Sequence, residues 1–153
     1  MSQERFDALM AQLCKALPRD AAADVRERGL LSVDGHDVLI DHWPDDACRI
    51  LVDLGPPPGG ADSGFYRRLL ALNLEAESDA VPVLGLEADS GHIVAIMQQP
   101  LEVLEQEKDG LADLIVRQLP EWMPHWRALL ASQAADVPAD AHAVVAGWLE
   151  MRP

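Results

Sequence analysis

The chain has 153 residues, 49% of them hydrophobic, with 12 Lys+Arg against 26 Asp+Glu and a formal net charge of -14. That length suits one domain with its own core and not two. The apolar share argues against wholesale disorder, and the acidity argues against nucleic acid or an anionic membrane surface as the main partner.

Cys14 and Cys48 form no CxxC pair, and each sits inside an apolar pattern. They read as small buried hydrophobes rather than a disulfide framework. The opening MSQERFDALM has no basic stretch followed by an apolar one, and no apolar run approaches the roughly 20 residues of a membrane helix. The expectation is a soluble, intracellular protein.

In chain order, Phe6, Leu9, Met10, Leu13, Cys14 and Leu17 recur at spacings of three and four. They predict a helix over Gln3–Leu17 with one apolar stripe, Ser2 as N-cap and Pro18 beyond its end. The Ala-rich stretch Ala21–Val25 reads as a short helical extension ending by Gly29. From Leu30 the period changes to two. Leu31 and Val33 precede the turn dipeptide Asp34-Gly35, then Val38, Ile40 and His42 alternate with Leu39, Asp41 and Trp43. After Pro44-Asp45-Asp46, Ile50, Val52 and Leu54 alternate with Arg49, Leu51 and Asp53. Three antiparallel strands are expected, with Val38, Ile40, Ile50, Val52 and Leu54 on the face that the first helix must cover. The opposite face carries Leu39, Trp43 and Leu51 among Asp37, Asp41, Arg49 and Asp53, the look of a protein-binding surface.

Gly55 to Gly60 holds three consecutive prolines and can only be a loop. Asp62 or Ser63 caps a second helix to about Leu74. Phe65, Leu69 and Leu72 line one side of it, and Tyr66, Leu70 and Leu74 another. So wide an apolar arc needs cover on more than one side. Val83, Leu84 and Leu86 form a strand, Asp89-Ser90-Gly91 a turn, and His92–Met97 the returning strand. Pro100 starts a third helix, which Pro120 and Pro124 should kink or end. A tail helix is expected over about Ala139–Glu150. The order α-β-β-β-α-β-β-α gives an α+β fold, helices packed on an antiparallel sheet. Residues 1–133 form one domain and 134–153 a C-terminal tail.

Candidate chemistry is sparse. His36 and His42 lie six apart near Asp34, Asp45 and Asp46, but no metal-ligand motif is present. Cys48 near His42 is the only nucleophile candidate, and Asp45 and Asp46 supply the wrong sign to activate it. No GxSxG elbow, P-loop or dinucleotide fingerprint occurs. No metal and no cofactor are expected. Trp122 and Trp126 share helical spacing and read as core or interface residues.

The segment Phe65-Tyr66-Arg67-Arg68-Leu69-Leu70-Ala71-Leu72-Asn73-Leu74 resembles the second-helix signature of the class I type III secretion chaperones, the Tir chaperone family. The hairpin Leu84-Gly85-Leu86 through Gly91-His92-Ile93-Val94 follows it in the family's order, as do Pro100-Leu101 and Trp126-Arg127. The likeness covers roughly residues 3–133. It implies a bacterial cytoplasmic homodimer, not an enzyme, that holds the N-terminal segment of a secreted effector in extended form and keeps it soluble and export-competent. The export ATPase is a further partner. By position the resemblance puts Phe65, Tyr66, Leu69, Leu70, Val83 and Ile93 at the dimer interface. It puts Leu13, Leu17, Leu39, Trp43 and Leu51 against the effector. Two other readings stand beside it: a regulator or adaptor of the same fold docking on a folded protein, and a small hydrolase using His36, His42 and Cys48.

Overall fold

A computed structural model describes residues 2–59, 61–75 and 82–131. Helix α1 (Ser2–Ala16) and helix α2 (Arg19–Arg28) lead into strands β1 (Leu30–Val33), β2 (His36–Trp43) and β3 (Ala47–Gly55). Helix α3 (Ser63–Glu75) crosses to β4 (Val83–Leu86) and β5 (Ile93–Pro100). Helices α4 (Leu101–Gln106) and α5 (Gly110–Asp113), a π-helical turn (Leu114–Gln118) and α6 (Leu119–Ala131) complete the described chain. The sheet is antiparallel throughout, in the order β1-β2-β3-β5-β4. The expected α+β architecture is therefore present. The predicted tail helix lies outside the described residues.

The Ala-rich extension is a full helix of its own. Pro18 cannot continue α1, and α2 ends where Gly29 adopts φ 67° and its N–H donates to the Val25 carbonyl. No other residue fits there. A Cβ on Gly29 would stand 2.3 Å from the Ile40 carbonyl oxygen, and Gly29 also accepts from the Ile40 N–H at 2.8 Å. The end of α2 is thus fastened directly to β2. Ser2 falls inside α1 rather than before it. Asp62 caps α3: its Oδ1 accepts the Phe65 N–H at 3.0 Å, the usual N3 geometry.

The predicted third helix is a broken one. It stops at Gln106, turns through Asp109 at φ 60°, and restarts at Gly110, where a Cβ would meet the Leu104 carbonyl at 2.2 Å. The two prolines, by contrast, end nothing. Pro120 sits in the first turn of α6, directly after the π turn, where the Leu119 N–H already reaches back five residues to Leu114. The wider turn takes up the clash a proline makes with the carbonyl four residues earlier. Pro124 lies inside α6 and faces outward.

Burial along β3 alternates without a break, one residue buried and the next not. Val38, Ile40, Cys48, Ile50, Val52, Ile93, Ala95 and Met97 are sealed on one face. They join Phe6, Leu9 and Leu13 of α1, Phe65, Leu69 and Leu72 of α3, and Leu111, Ile115, Leu119, Met123 and Trp126 of the C-terminal helices in a single core. Trp122 meets Trp126 edge-on with ring centroids 5.9 Å apart, so this pair serves the core. That one-sided cover leaves the other sheet face to be explained.

Candidate functional site

On the open face, strand register places one apolar residue per strand in a straight line. Leu30 lies opposite Leu39, Leu39 opposite Leu51, Leu51 opposite Ile96, and Ile96 opposite Val83. None of the five is buried. Directly paired residues in an antiparallel sheet share a face, so these form a continuous apolar row crossing all five strands.

The two flanks of the row differ. On one, Asp41 lies opposite Arg49, which lies opposite Gln98. Arg49 Nε donates to Asp41 Oδ1 at 3.0 Å, a second bond joins Arg49 Nη2 to Asp41 Oδ2, and the guanidinium carbon stands 3.5 Å from the Trp43 ring centroid. This stacked, bidentate arrangement fixes Trp43 and neutralises Asp41. On the other flank, Asp37 is exposed and has no ion pair among the described residues. Asp53 accepts the Gly55 N–H at 2.8 Å and lies 2.9 Å from His92 Nδ1. His36 Nδ1 is 2.9 Å from the Asp53 backbone carbonyl oxygen.

A second apolar surface lies at the α3–β4 edge. Leu70 is 67% exposed, Leu74 86%, Val83 44% and Leu86 55%. Asn73 fastens α3 to this edge strand: its side-chain amide donates to the Leu84 carbonyl at 2.7 Å and accepts the Leu84 N–H at 2.8 Å. The amide thus stands in for a neighbouring strand at one residue of β4. Asn73, Leu74 and Leu86 are not among the six residues named for the dimer contact, although Leu74 lies on the helix's outer arc and Leu86 in the hairpin that the resemblance puts there.

The two surfaces redistribute the residues expected at sites. Leu39, Trp43 and Leu51 come together on the open face. Leu13 has no exposed surface and belongs to the core, and Leu17 is half-buried against that core. The alternation of three and four that put Leu13 on a stripe could not say that the stripe is fully covered. At the other surface, Tyr66, Leu70 and Val83 are accessible, whereas Phe65, Leu69 and Ile93 are buried within the subunit. These three pack in the subunit's own core.

The residues of the hydrolase reading do not converge. His36 and His42 occupy opposite ends of β2, about 20 Å apart at 3.3 Å per residue. His42 does lie opposite Cys48, but its ring rests against Phe6 at 5.6 Å and its Nε2 is buried without a partner. Burial, reinforced by the Asp41 carboxylate, pushes the Cys48 thiol up to about 12, so it is not a thiolate at neutral pH. No cluster of three His, Cys, Asp or Glu side chains suited to a metal occurs among the described residues. No helix there is long and apolar enough to cross a membrane. A polar groove beside α1, lined by Arg5, Gln12, Glu105 and Lys108, is bridged by the Arg5–Glu105 ion pair at 2.7 Å.

The sequence pattern of the Tir chaperone protein (CesT) family matches residues 8–121. Among solved structures, the chain is similar to one in the heterodimeric ExoU-SpcU complex of the type III secretion system of Pseudomonas aeruginosa. The identity is 20%, covering 69% of this chain and 86% of that one, with a TM-score of 0.47. It is also similar to a chain of the HopA1-SchA chaperone-effector complex, at 23% identity over 78% of this chain and 97% of that one, with a TM-score of 0.44. No curated protein matches the chain significantly.

Proposed function

We infer the function from one premise: the chain belongs to the Tir chaperone protein (CesT) family. It is a chaperone of type III secretion effectors. In its finer form, the proposal is that a cytoplasmic homodimer binds the N-terminal segment of an effector in extended form and keeps it soluble and ready for export. The observation that carries this is the apolar row on the open sheet face, a surface long enough to hold an extended chain. A disordered segment gains order there by burying its apolar side chains, so binding energy alone retains it and no enzymatic step is needed.

The client surface is Leu39, Trp43 and Leu51, with Leu17 as a contact beside α1. The dimer contact is Tyr66, Leu70, Leu74, Val83 and Leu86 at the α3–β4 edge, where exposed leucines on a helix call for a second copy to cover them. The net charge of -14 keeps these apolar surfaces from associating at random and favours basic docking surfaces on the export machinery, including its ATPase.

Co-expression with a secreted effector tests the reading. The effector's N-terminal segment should co-purify and become protease-resistant, and the chaperone alone should show a mass near twice 16.7 kDa by light scattering. Leu74→Glu should weaken the dimer by about 100-fold, since burying a charge at an apolar contact costs on the order of 2–3 kcal/mol. A wild-type monomer at micromolar concentration that protects no effector segment sinks the proposal.

A further inference from the structure

We propose that the open sheet face reads charge as well as apolarity: its occupant is an effector segment whose apolar residues alternate with lysine or arginine, the basic residues leaning to the Asp37–Asp53 side. This rests on the chaperone reading above and names the chemistry of its client. Val83 belongs to the dimer contact, so the row open to a client is Leu30, Leu39, Leu51 and Ile96. Four strands about 4.8 Å apart span roughly 14 Å, and an extended chain rising 3.3 Å per residue covers that with about five residues. Side chains alternate along such a chain, so a chain lying canted on the row points every second one into it and the others over one flank.

The flanks then decide which residues fill the alternate places. The Asp41 flank carries no free charge, because Arg49 holds Asp41 by two hydrogen bonds and stacks on Trp43. The opposite flank is acidic. Asp37 and Asp53 stand on adjacent strands, one position from the apolar row, and Asp37 has no cationic partner among the described residues. Like charges on neighbouring strands oppose sheet formation, and the His92 ring pairs with Asp53 rather than Asp37. A basic side chain of the client satisfies Asp37, while a client carboxylate in the same place is repelled. Selection by repulsion matters here, since an apolar row alone accepts any greasy segment.

The test uses the full chain and four fluorescein-labelled nine-residue peptides, read by anisotropy: leucine alternating with lysine, with glutamate or with serine, and serine alternating with lysine. The leucine–lysine peptide should bind about tenfold tighter than leucine–glutamate, and serine–lysine, of equal charge, should fail to bind. Leu51→Ser should weaken the leucine–lysine peptide about tenfold. Asp37→Asn should weaken it about threefold and narrow its lead over leucine–glutamate, whereas Glu27→Gln, an equal loss of charge on exposed α2, should leave that lead unchanged. Equal binding of the lysine and glutamate peptides, or equal effects of Asp37→Asn and Glu27→Gln, overturns the proposal. So does a photo-crosslinker at position 51 that captures residues 132–153 of the same chain or a second copy. Co-purification of the effector with wild type and Leu51→Ser alike overturns this proposal but leaves the chaperone reading standing. Failure of wild type to retain any effector removes that reading itself.

Discussion

Ile50 and Leu51 are neighbours in β3, isomers in side-chain composition, and opposites in circumstance. Ile50 is 0% exposed beneath the helices, while Leu51 sits in the middle of the half-open row. The same contrast holds for Ile40 and Leu39 one strand away. One sheet face was sealed by α1, α3 and the C-terminal helices, and the other kept apolar residues that its own subunit's core does not use. The two faces therefore hold different stakes: stability on the closed side and, under the proposed function, recognition on the open one.

Substitutions one residue apart give the strongest test of that division. Ile50→Ala should lower unfolding stability by about 2–5 kcal/mol through lost burial and a cavity, while Leu51→Ala should stay within about 0.5–1 kcal/mol. Urea titrations of both variants would read the difference, and similar losses would erase the distinction between the faces. Next in size is Gly29→Ala, at about 1–3 kcal/mol from left-handed backbone strain and the forced approach to the Ile40 carbonyl. A denaturation midpoint equal to wild type would show that α2 is not fastened to β2 as described.

The smallest effect at neutral pH comes from Cys48 on the closed face, and it appears only as a pH dependence. The folded Cys48 thiol stands at about 12, above the roughly 8.5 of an unfolded chain. Its contribution to stability is therefore complete below about pH 8.5 and is lost as pH rises toward 12. Cys48→Ala should flatten the fall of stability over that alkaline window. An unchanged slope would mean that the thiol is less enclosed than Ile50 beside it in the core.

Much of this was legible in the residues. The change of period at Leu30, the Asp34-Gly35 turn and the alternation through Leu54 gave β1 to β3 and both of their faces. The Asp62 cap and the Pro100 start located α3 and α4. The signature from Phe65 to Leu74 pointed to the family. Other features were hidden for definite reasons. The break at Glu107–Asp109 depends on how closely Gly110 can approach Leu104, and Pro120 is accommodated by a π turn that no local pattern announces. Leu13, Phe65, Leu69 and Ile93 were expected at surfaces because an apolar stripe looks the same whether its own subunit covers it or not.

The sequence by itself determined the elements, the two-faced character of the strands and the family, because periodicity and turn chemistry act over a few residues. Only the tertiary structure decided the apolar row. Its five members come from five strands, and β5 enters between β3 and β4, so their alignment depends on register set by crossovers far apart in the chain. The same holds for Asn73 on Leu84 and for Asp37 beside Asp53, since such neighbours exist only once the sheet has closed its other face.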